Sequence, residues 1–416
     1  MRHPPNHFFE HTRDSLRQWC ESIGWPAFRA NQLLEWVYKK NTVDPAAMTN
    51  LSKLERDLLT RDMTFLSGEI VSHQSASDGT QKLLVEWSDV GKAMGHHGFG
   101  APSHANIQTL SAAEEGRIED REVQVHESEP GTSLSLLPAT SPASGDAVRT
   151  DRQTECVMIP APPGSEFDSD RRTACISSQV GCPVGCAFCA SGLGGLEGNL
   201  SAGRIVEQVW RLQQLPNVGR ISNIVFMGMG EPLANFSAVV KAIRTITAPW
   251  GMGIGARKIT LSTVGLPKAI EKLAAELDLP ITLALSLHAP TDELRRQLIP
   301  WAQYSTIAEL LAACQKWFEK TKREITLEYT LLGGINDSAQ QAEQLAALAK
   351  TLRANINLIR YNEVKGLPFK RPNDDDVRRF QDILRARDIN AHIRASRGRD
   401  IAAACGQLRH EKALAG

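Results

Sequence analysis

The second half of the chain alternates short apolar runs with amphipathic stretches of helical spacing. Apolar, β-branched runs predict strands near TACISSQ, SNIVFMG, KITLST, ITLALSL, ITLEYTLL, INLIRY and NAHIRAS. Helices are predicted between them in SAGRIVEQVWRLQQL, FSAVVKAIRTI, PKAIEKLAAEL, TIAELLAACQKWFEK, DSAQQAEQLAALAKTL and DDVRRFQDILRAR. Six β/α repeats in about 240 residues are too few for a closed eight-fold barrel, so the pattern predicts an α/β fold, an open six-stranded (β/α) partial barrel. Its active site should lie at the carboxyl ends of the strands.

Ahead of this repeat, residues 12–62 alternate helical spacing with turn signals, which predicts a small N-terminal helical domain over residues 1–68. Two further apolar runs, GTQKLLVEWSD and TECVMIP, predict a strand hairpin formed by residues 69–90 and 153–164. The partial barrel and its C-terminal segment then cover residues 165–416.

The segment between the two hairpin strands, residues 91–152, has a different composition. It is rich in Gly, Ser, His, Pro, Ala and Glu, as in GHHGFGAPSHAN and PATSPASGDA. Such a segment buries too little apolar surface to offset chain entropy, so we predict a mostly disordered insertion. Its histidines His96, His97 and His104 could bind a metal, but without a packed frame we interpret them as solvated loop residues.

The charge balance narrows the classes of function. Lys+Arg 47 and Asp+Glu 47 give a formal net charge of +0, which excludes binding to nucleic acid through bulk positive charge alone. Any such contact must be a local patch. No segment approaches the ~18 apolar residues of a membrane span, so we expect a soluble cytoplasmic protein with no membrane partner.

Three of the cysteines, Cys182, Cys186 and Cys189, have the spacing C-x3-C-x2-C just after the first predicted barrel strand. Three thiolates in one loop can bind three corners of a cubane iron–sulfur cluster and leave the fourth iron open for chemistry. A zinc site is the alternative, but a closed zinc site needs a fourth Cys or His, and none follows at a zinc-finger spacing. The pattern therefore favours the cluster.

This motif, placed after the first strand of a partial barrel, resembles the radical SAM superfamily. The chain is further similar to the RlmN/Cfr family of RNA adenine methyltransferases through, in order, CISSQVGCPVGCAFC, FMGMGEPLAN, LSTVGLP, LALSLHAP, YTLLGGIND and ACGQL. The resemblance extends from Thr173 to Leu408, and FRANQLLEWVYKK and MTNLSKLERDLL are similar to that family's helical accessory domain. It implies one 4Fe-4S cluster on the three cysteines, its open iron chelated by S-adenosylmethionine (SAM), and two SAM molecules per turnover.

A SAM site is predicted at the ends of the barrel strands. FMGMGEP turns through Gly228 and Gly230, where the missing Cβ lets the backbone approach a ligand, and delivers the carboxylate of Glu231. That carboxylate could bind the ammonium of SAM or merely cap the next helix, and the resemblance favours the first. A lone histidine after a strand is more often structural than a ligand. The resemblance nevertheless implies SAM contacts for Gly230, Glu231, Ser262, Ser286, Leu287, His288 and Asn362.

Two cysteines outside the motif, Cys175 and Cys405, would by sequence alone be small buried hydrophobes, like Cys20, Cys156 and Cys314. The resemblance implies instead that they are catalytic. Cys405 would accept a methyl group from one SAM, and a second SAM would be cleaved to the 5′-deoxyadenosyl radical, which removes hydrogen from the S-methyl group. The carbon radical would add to an adenine ring, and Cys175 would help remove the ring proton and resolve the adduct through a disulfide.

One acidic and several basic residues complete the predicted site. Glu155 matches a family glutamate assigned as a proton acceptor, although a strand glutamate usually faces solvent. Cations that flank Cys405 in sequence would contact the RNA backbone: Lys370, Arg371, Arg385, Arg387, Arg394, Arg397 and Arg399. Arg378 and Arg379 are better interpreted as residues of an ordinary helix face, where they pair with Asp374, Asp375 and Asp376. The implied partners are 23S rRNA, tRNA and an electron donor such as flavodoxin, with no DNA.

The chain departs from the family pattern at Gly198, Arg204, the Pro300-Trp301-Ala302 run and Arg360, which bears on substrate recognition. The leading hypothesis is methylation of carbon 2 of an adenine in 23S rRNA, and in tRNA next to the anticodon. A Cfr-like enzyme acting on carbon 8 would share the same motifs, so they leave this alternative open. A rival of another class is a non-catalytic RNA-binding or zinc-stabilised protein that retains the barrel.

Overall fold

The computed structural model describes residues 1–88, 152–162 and 170–408. In these residues the α-helices are α1 Arg13–Ser22, α2 Phe28–Tyr38, α3 Lys53–Asp62, α4 Ala202–Gln213, α5 Phe236–Thr247, α6 Pro267–Glu276, α7 Asp292–Leu298, α8 Ile307–Thr321, α9 Ala339–Ala349 and α10 Asp374–Ala386. The strands are β1 Gly68–Ser75, β2 Gln81–Trp87, β3 Gln153–Pro160, β4 Arg172–Cys175, β5 Gln179–Gly181, β6 Leu196–Asn199, β7 Asn223–Phe226, β8 Ile259–Thr263, β9 Thr282–Ser286, β10 Ile325–Leu331, β11 Ala354–Arg360 and β12 Ala391–Arg394.

Ten of these strands form one sheet in the order β1-β2-β3-β4-β7-β8-β9-β10-β11-β12. The first four pair antiparallel, and every later pair from β4·β7 to β11·β12 is parallel. The prediction of an α/β partial barrel is confirmed. Its parallel part contains seven strands, because β12 follows the sixth β/α repeat and pairs with β11. β10 is buried at every position, as expected of a parallel strand with both faces covered.

The N-terminal helices pack against the barrel. A capping box at Thr12 begins α1 and another at Ser52 begins α3, because each side chain accepts the N–H three residues later. The ring of Phe9 lies 6.2 Å from that of Trp210 on α4, and Trp210 donates to the carbonyl of Val37 at 3.2 Å. The apolar face of the small helical unit is therefore continuous with the barrel core.

The chain leaves the sheet earlier than the TACISSQ pattern predicts. β4 ends at Cys175, and the backbone N–H and carbonyl of Ser177 both bond the side-chain amide of Gln208, each at 2.9 Å. A side chain thus replaces the ladder partners that a longer strand would need. The freed chain forms the small hairpin of β5 and β6, which the sequence pattern did not indicate.

The two strands that flank the predicted insertion pair antiparallel, from Gln81 opposite Met158 to Glu86 opposite Gln153. Apart from Arg152, the insertion 91–152 lies outside the described residues. None of the helices in the described part of the chain is long and apolar enough to cross a membrane.

Candidate functional site

The three motif cysteines lie in a loop, residues 182–195, that connects β5 to β6. We call it the cysteine loop. The N–H of Cys182 donates to the carbonyl of Gly195 at 2.8 Å, and that of Ala187 donates to Leu298 at the end of α7 at 2.9 Å. Val184 and Phe188 bury their side chains beside the carboxyl ends of the barrel strands. The loop is therefore fixed at the end of the barrel where the sequence predicts the active site.

The three thiols of the cysteine loop form the donor set of an iron–sulfur cluster. Burial raises the pKa of Cys182 to about 12 and the pKa values of Cys186 and Cys189 above the usual range. Another cysteine nearby raises the pKa of each thiol further. No three His, Cys, Asp or Glu side chains of the described residues converge on one metal-ion position. Three thiols on one loop, each with its pKa raised by another cysteine nearby, are the donor set of a cubane, which binds each sulfur at a different iron. These cysteines therefore fit a cluster that three thiolates hold.

Glu231 is a buried carboxylate whose observed partners are backbone N–H groups. Its two oxygens accept the N–H groups of Leu233 at 3.0 Å and Val264 at 2.9 Å, yet burial keeps its pKa raised. No cationic side chain of the described chain lies within 4 Å of it. Glu231 does cap the turn that begins at Pro232, and it retains lone pairs for an ammonium group, whose charge would offset the burial cost.

Gly228 and Gly230 lie where the chain after β4 comes too close to leave room for a side chain. A Cβ on Gly228 would lie 2.7 Å from the carbonyl of Ile176, and one on Gly230 would lie 2.7 Å from the Oγ of Ser178. Gly230 also has φ +102, which only glycine adopts without strain. From the sequence, this freedom is predicted to serve contact with a ligand. In the structure, contact with the chain after β4 accounts for it, and the SAM contact of Gly230 stays a prediction.

The polar residues predicted on β8 and β9 meet at one end of the sheet. The hydroxyls of Ser262 and Ser286 lie 3.1 Å apart. His288 follows with φ 57, its Nδ1 accepts the N–H of Thr330 at 3.0 Å, and burial lowers its pKa to about 3. Its ring packs edge-on to Phe188 of the cysteine loop at 5.1 Å. His288 is therefore a neutral residue that supports the loop.

Leu287 and Asn362 complete the predicted SAM set. The carbonyl of Leu287 accepts from Arg295 of α7 at 3.2 Å, and Arg295 also bonds the carbonyl of Val264. Asn362 is 3% exposed, and its Oδ1 accepts from Arg371 at 3.2 Å. Sequence reasoning missed Arg295, because nothing in a charged helical stretch indicates which arginine turns inward.

The C-terminal segment, residues 398–408, carries Cys405 to the cysteine loop. The N–H of Ala190 donates to the carbonyl of Gly406 at 2.8 Å, and the hydroxyl of Ser191 donates to Leu408 at 2.6 Å. Ala403 and Leu408 pack in one cluster with Cys175. Burial raises the pKa of Cys175 to about 12, and nearby Cys405 raises it further. The structure thus brings Cys175, Cys405 and the three motif cysteines to one end of the barrel.

Arg394, predicted as a contact to RNA, faces this site. Its Nη1 lies 3.3 Å from the Sδ of Met227 and 3.6 Å from the buried carboxylate of Glu328. Cys405 and Glu328 raise the pKa of Arg394, although burial opposes them. Its guanidinium is therefore a positive charge beside the two cysteines.

Other cations of the predicted RNA patch have protein partners. Arg387 pairs with Glu343 at 2.7 Å, and Arg397 lies 3.7 Å from Asp78. Lys370 has only a long contact to a glutamate at 3.9 Å, and its side chain is 75% exposed. Arg378 and Arg379 do pair with Asp375 and Asp376 along α10.

Glu155 is not on a solvated face. Its side chain is 3% exposed, and its Oε1 lies 2.7 Å from the Nζ of Lys82, which is 5% exposed. The backbone N–H of Glu155 points at the Sδ of Met229 at 3.4 Å, and the hydroxyl of Ser177 donates to its carbonyl at 2.6 Å. Sequence reasoning missed Lys82, because a lysine on a strand ordinarily indicates an exposed position.

Comparisons with known proteins agree with this geometry. Residues 176–347 match the Radical SAM superfamily, and residues 7–64 match the ribosomal RNA large subunit methyltransferase N-terminal domain. A probable dual-specificity RNA methyltransferase RlmN 3 of Opitutus terrae is 40% identical over 96% of this chain and 92% of its own length. The dual-specificity RNA methyltransferase RlmN of Syntrophobacter fumaroxidans is 36% identical over 95% of this chain and 96% of its own. The crystal structure of a radical SAM methyltransferase from Sphaerobacter thermophilus aligns with TM-score 0.79 and 36% identity, over 97% of this chain and 99% of the other.

Proposed function

Because this chain belongs to the RlmN family of radical SAM RNA methyltransferases, we propose that it methylates carbon 2 of a specific adenine in 23S rRNA and of the adenine next to the anticodon in tRNA. The observation that carries the proposal is the docking of the C-terminal segment. The N–H of Ala190 in the cysteine loop bonds Gly406, the residue after Cys405, and the segment packs beside Cys175. This position, beside the cysteine loop and near a second thiol, supports the role of Cys405 as the thiol that accepts the methyl group.

The proposed cofactors are one 4Fe-4S cluster on Cys182, Cys186 and Cys189 and two SAM molecules per turnover. When bound, the cluster would supply the electron that cleaves SAM to the 5′-deoxyadenosyl radical, and it would accept the one electron that the RNA adduct gives up. Glu231 would bind the SAM ammonium, because it is a buried carboxylate that pairs with no cation among the described residues. The other SAM contacts would come from Gly230, Ser262, Ser286, Leu287, His288 and Asn362.

The protein's part in the reaction begins at Cys405. Its sulfur takes the methyl group of one SAM, so that an S–CH3 bond forms, the bond from methyl to sulfonium sulfur breaks and the thiol proton leaves. After hydrogen removal, the methylene carbon adds to carbon 2 of adenine and links protein and RNA by a thioether. Adenine carbon 2 is electrophilic, and ordinary SAM alkylation seeks nucleophiles, which is why a radical route is needed.

Release requires two groups of the chain. Glu155, with the help of Cys175, accepts the proton from carbon 2. Cys175 then attacks the sulfur of Cys405, so that a disulfide forms, the bond from sulfur to the methylene carbon breaks, and that carbon gains a proton to become the methyl group. A thiol reductant restores both cysteines. A low-potential donor such as flavodoxin would supply the cluster electron.

Nucleoside mass spectrometry on RNA treated with the enzyme tests the proposal. The protein is reconstituted anaerobically with iron and sulfide and incubated with SAM, a reductant and RNA from a strain that lacks the modification. We expect 2-methyladenosine in 23S rRNA and in tRNA, and none with Cys186→Ala, which lacks a cluster ligand. A product that is 8-methyladenosine would favour the carbon 8 alternative, and colourless protein without any product would favour the non-catalytic one.

A further inference from the structure

Lys82 is a buried lysine to which the proposed chemistry gives no task. It lies near the start of β2, its side chain is 5% exposed, and its ammonium lies 2.7 Å from the carboxylate of Glu155. Removing two charges from water carries a desolvation cost that their mutual attraction does not reliably offset. A pair of this kind is therefore weak evidence for stability and better evidence for a task in the site.

The strand register places this pair on the face that carries Cys175. Lys82 is opposite Val157 on β3, and Val157 is opposite Cys175 on β4. Side chains of directly opposed residues lie on the same face of a sheet, and so do residues two apart along a strand. Lys82, Glu155 and Cys175 thus share one face across three adjacent strands.

Lys82 also contacts the segment that carries Cys405. Its Nζ donates to the carbonyl of Ala402 at 3.4 Å, and Ala402 has a left-handed backbone with φ 48. Nearby, Asp78 accepts the N–H of Gly398 at 3.1 Å, which fixes the same segment to the turn between β1 and β2. The ammonium of Lys82 therefore joins the Glu155 carboxylate to the docked C-terminal segment.

We propose that Lys82 is a positioning residue that holds the Glu155 carboxylate against the docked Cys405 segment and thereby sets the rate at which the adenine proton is removed. This inference rests on the proposed function, in which Glu155 is the proton acceptor. Lys82 exchanges no proton. The proton of carbon 2 passes to the Glu155 carboxylate, and the electron pair of the broken C–H bond remains on the ring.

The test compares Lys82→Met with the unchanged holoenzyme in four measurements. These are methylation of Cys405 by peptide mass spectrometry, SAM cleavage, covalent protein–RNA adduct on a denaturing gel, and the isotope effect of RNA with deuterium at adenine carbon 2. In a single turnover we expect SAM cleavage to stay unchanged, since it precedes proton removal, and Cys405 methylation to fall no more than about threefold, because one hydrogen bond to the C-terminal segment is lost. Resolution of the adduct should slow by about a hundredfold, as for a catalytic group displaced by about 1 Å. The adduct should accumulate, and the isotope effect should grow.

Two further variants control for charge and for general damage. Lys82→Arg keeps the positive charge and should restore most of the resolution rate. Lys316 and Glu271 form a lysine–glutamate pair of 2.5 Å on the exposed face of α6 and α8. Lys316→Met should change none of the four measurements.

Lys82→Met leaves the carboxylate of Glu155 buried and unpaired by lysine, which is destabilising, so this variant could fold poorly. A double variant keeps the test decisive in that case. Lys82→Met with Glu155→Gln removes both charges. If Lys82 acts through Glu155, the double variant resolves the adduct at the rate of Glu155→Gln alone, since the interaction is already lost. Additive losses would overturn the proposal.

The proposal is also overturned if Lys82→Met turns over normally, or if it loses Cys405 methylation together with all later steps. The latter result would make Lys82 a structural support of the C-terminal segment. Failure of the proposed function gives another pattern, in which Glu155→Gln and Cys175→Ala both leave the adduct unchanged. An adduct that accumulates in Glu155→Gln but not in Lys82→Met rejects the role of Lys82 alone.

Discussion

The two cysteines of the proposed pair are held in opposite ways. Cys175 ends β4 inside the ten-stranded sheet, between Val157 and Val225 on the neighbouring strands, and is 4% exposed. Cys405 lies on the C-terminal segment, which belongs to no strand or α-helix. Hydrogen bonds from the cysteine loop and from the turn between β1 and β2 hold that segment.

The difference shows which thiol can move. Displacing Cys175 would break the sheet ladder, whereas releasing Cys405 breaks the packing of Ala403 and Leu408 and a few hydrogen bonds, each worth about 1 kcal/mol. Under the proposed function, Cys405 must meet SAM and then the adenine, and Cys175 acts only once the adduct has formed. Cys175 is fixed in the sheet, which suits a thiol that acts only on the finished adduct. Cys405 lies on a segment that can be released, which suits a thiol that must meet SAM and then the adenine. Variants that weaken the contacts of each cysteine in turn test this assignment.

The largest expected effect comes from removing each thiol. Cys405→Ala leaves no methyl acceptor, so it should bind the cluster and SAM and yield neither methylated protein nor RNA adduct. Cys175→Ala should still form the adduct but fail to resolve it, and a ribonuclease-sensitive shift on a denaturing gel should reveal it. Normal turnover by Cys175→Ala, or crosslinking by Cys405→Ala, would contradict the two roles.

The next effect comes from the backbone of the C-terminal segment. Gly398 has φ +62, and a Cβ there would lie 2.8 Å from Ala403 and 2.9 Å from Thr80. Left-handed backbone costs an L-residue about 1–2 kcal/mol, and the contacts add to it. Gly398→Ala should lower Cys405 methylation at least about tenfold, by peptide mass spectrometry, and leave iron content unchanged. Gly24→Ala is the control, since Gly24 has φ +80 and nothing within 4 Å. Equal effects of both variants would mean that the segment needs no docking.

A smaller effect is expected at the turn between β1 and β2. Burial raises the pKa of Asp78, but hydrogen bonds from Thr80 and Gly398 outweigh it, so the pKa is lowered from its usual value. Because the pKa of Asp78 is lowered on folding, its charged contact with Gly398 is fully present above the usual pKa of an aspartate. The contact is lost only when the pH falls through the lowered pKa. Docking should therefore not vary between about pH 5 and 8.

Asp78→Asn removes that charge and should lower Cys405 methylation only about threefold, as for loss of part of one charged hydrogen bond. Asp44→Asn is matched, because Asp44 also accepts the N–H two residues later, at 2.9 Å, and lies in the N-terminal helical unit. If the rate falls equally in both variants, the turn has no special part in holding Cys405.

The sequence predicts one half of this comparison better than the other. Alternating apolar runs indicate the barrel, and the placement of Cys175 on its first strand follows from them. The docking of the C-terminal segment depends on contacts such as Ser77 to Asp400, which join residues far apart in the chain with no hydrophobic period to indicate them. For the same reason, a local pattern could not show that Lys82 and Arg295 are buried in the site or that Arg394 faces it.

The smallest effect concerns the protonation of Cys175. Burial raises the pKa of its thiol to about 12, so the thiolate, which is the reactive form, is a small fraction at neutral pH. In the holoenzyme, brief exposure to iodoacetamide should modify Cys175 at a rate that rises about tenfold per pH unit through pH 10. In urea-unfolded protein the rate should level off near pH 9, because the pKa of a free cysteine is about 8.5. Cys405→Ala should move the native profile slightly toward lower pH, since one raising neighbour is gone. If the modification rate in the native protein levels off at the same pH as in the unfolded protein, the sheet does not raise the pKa of Cys175. The contrast between the two cysteines would then be removed.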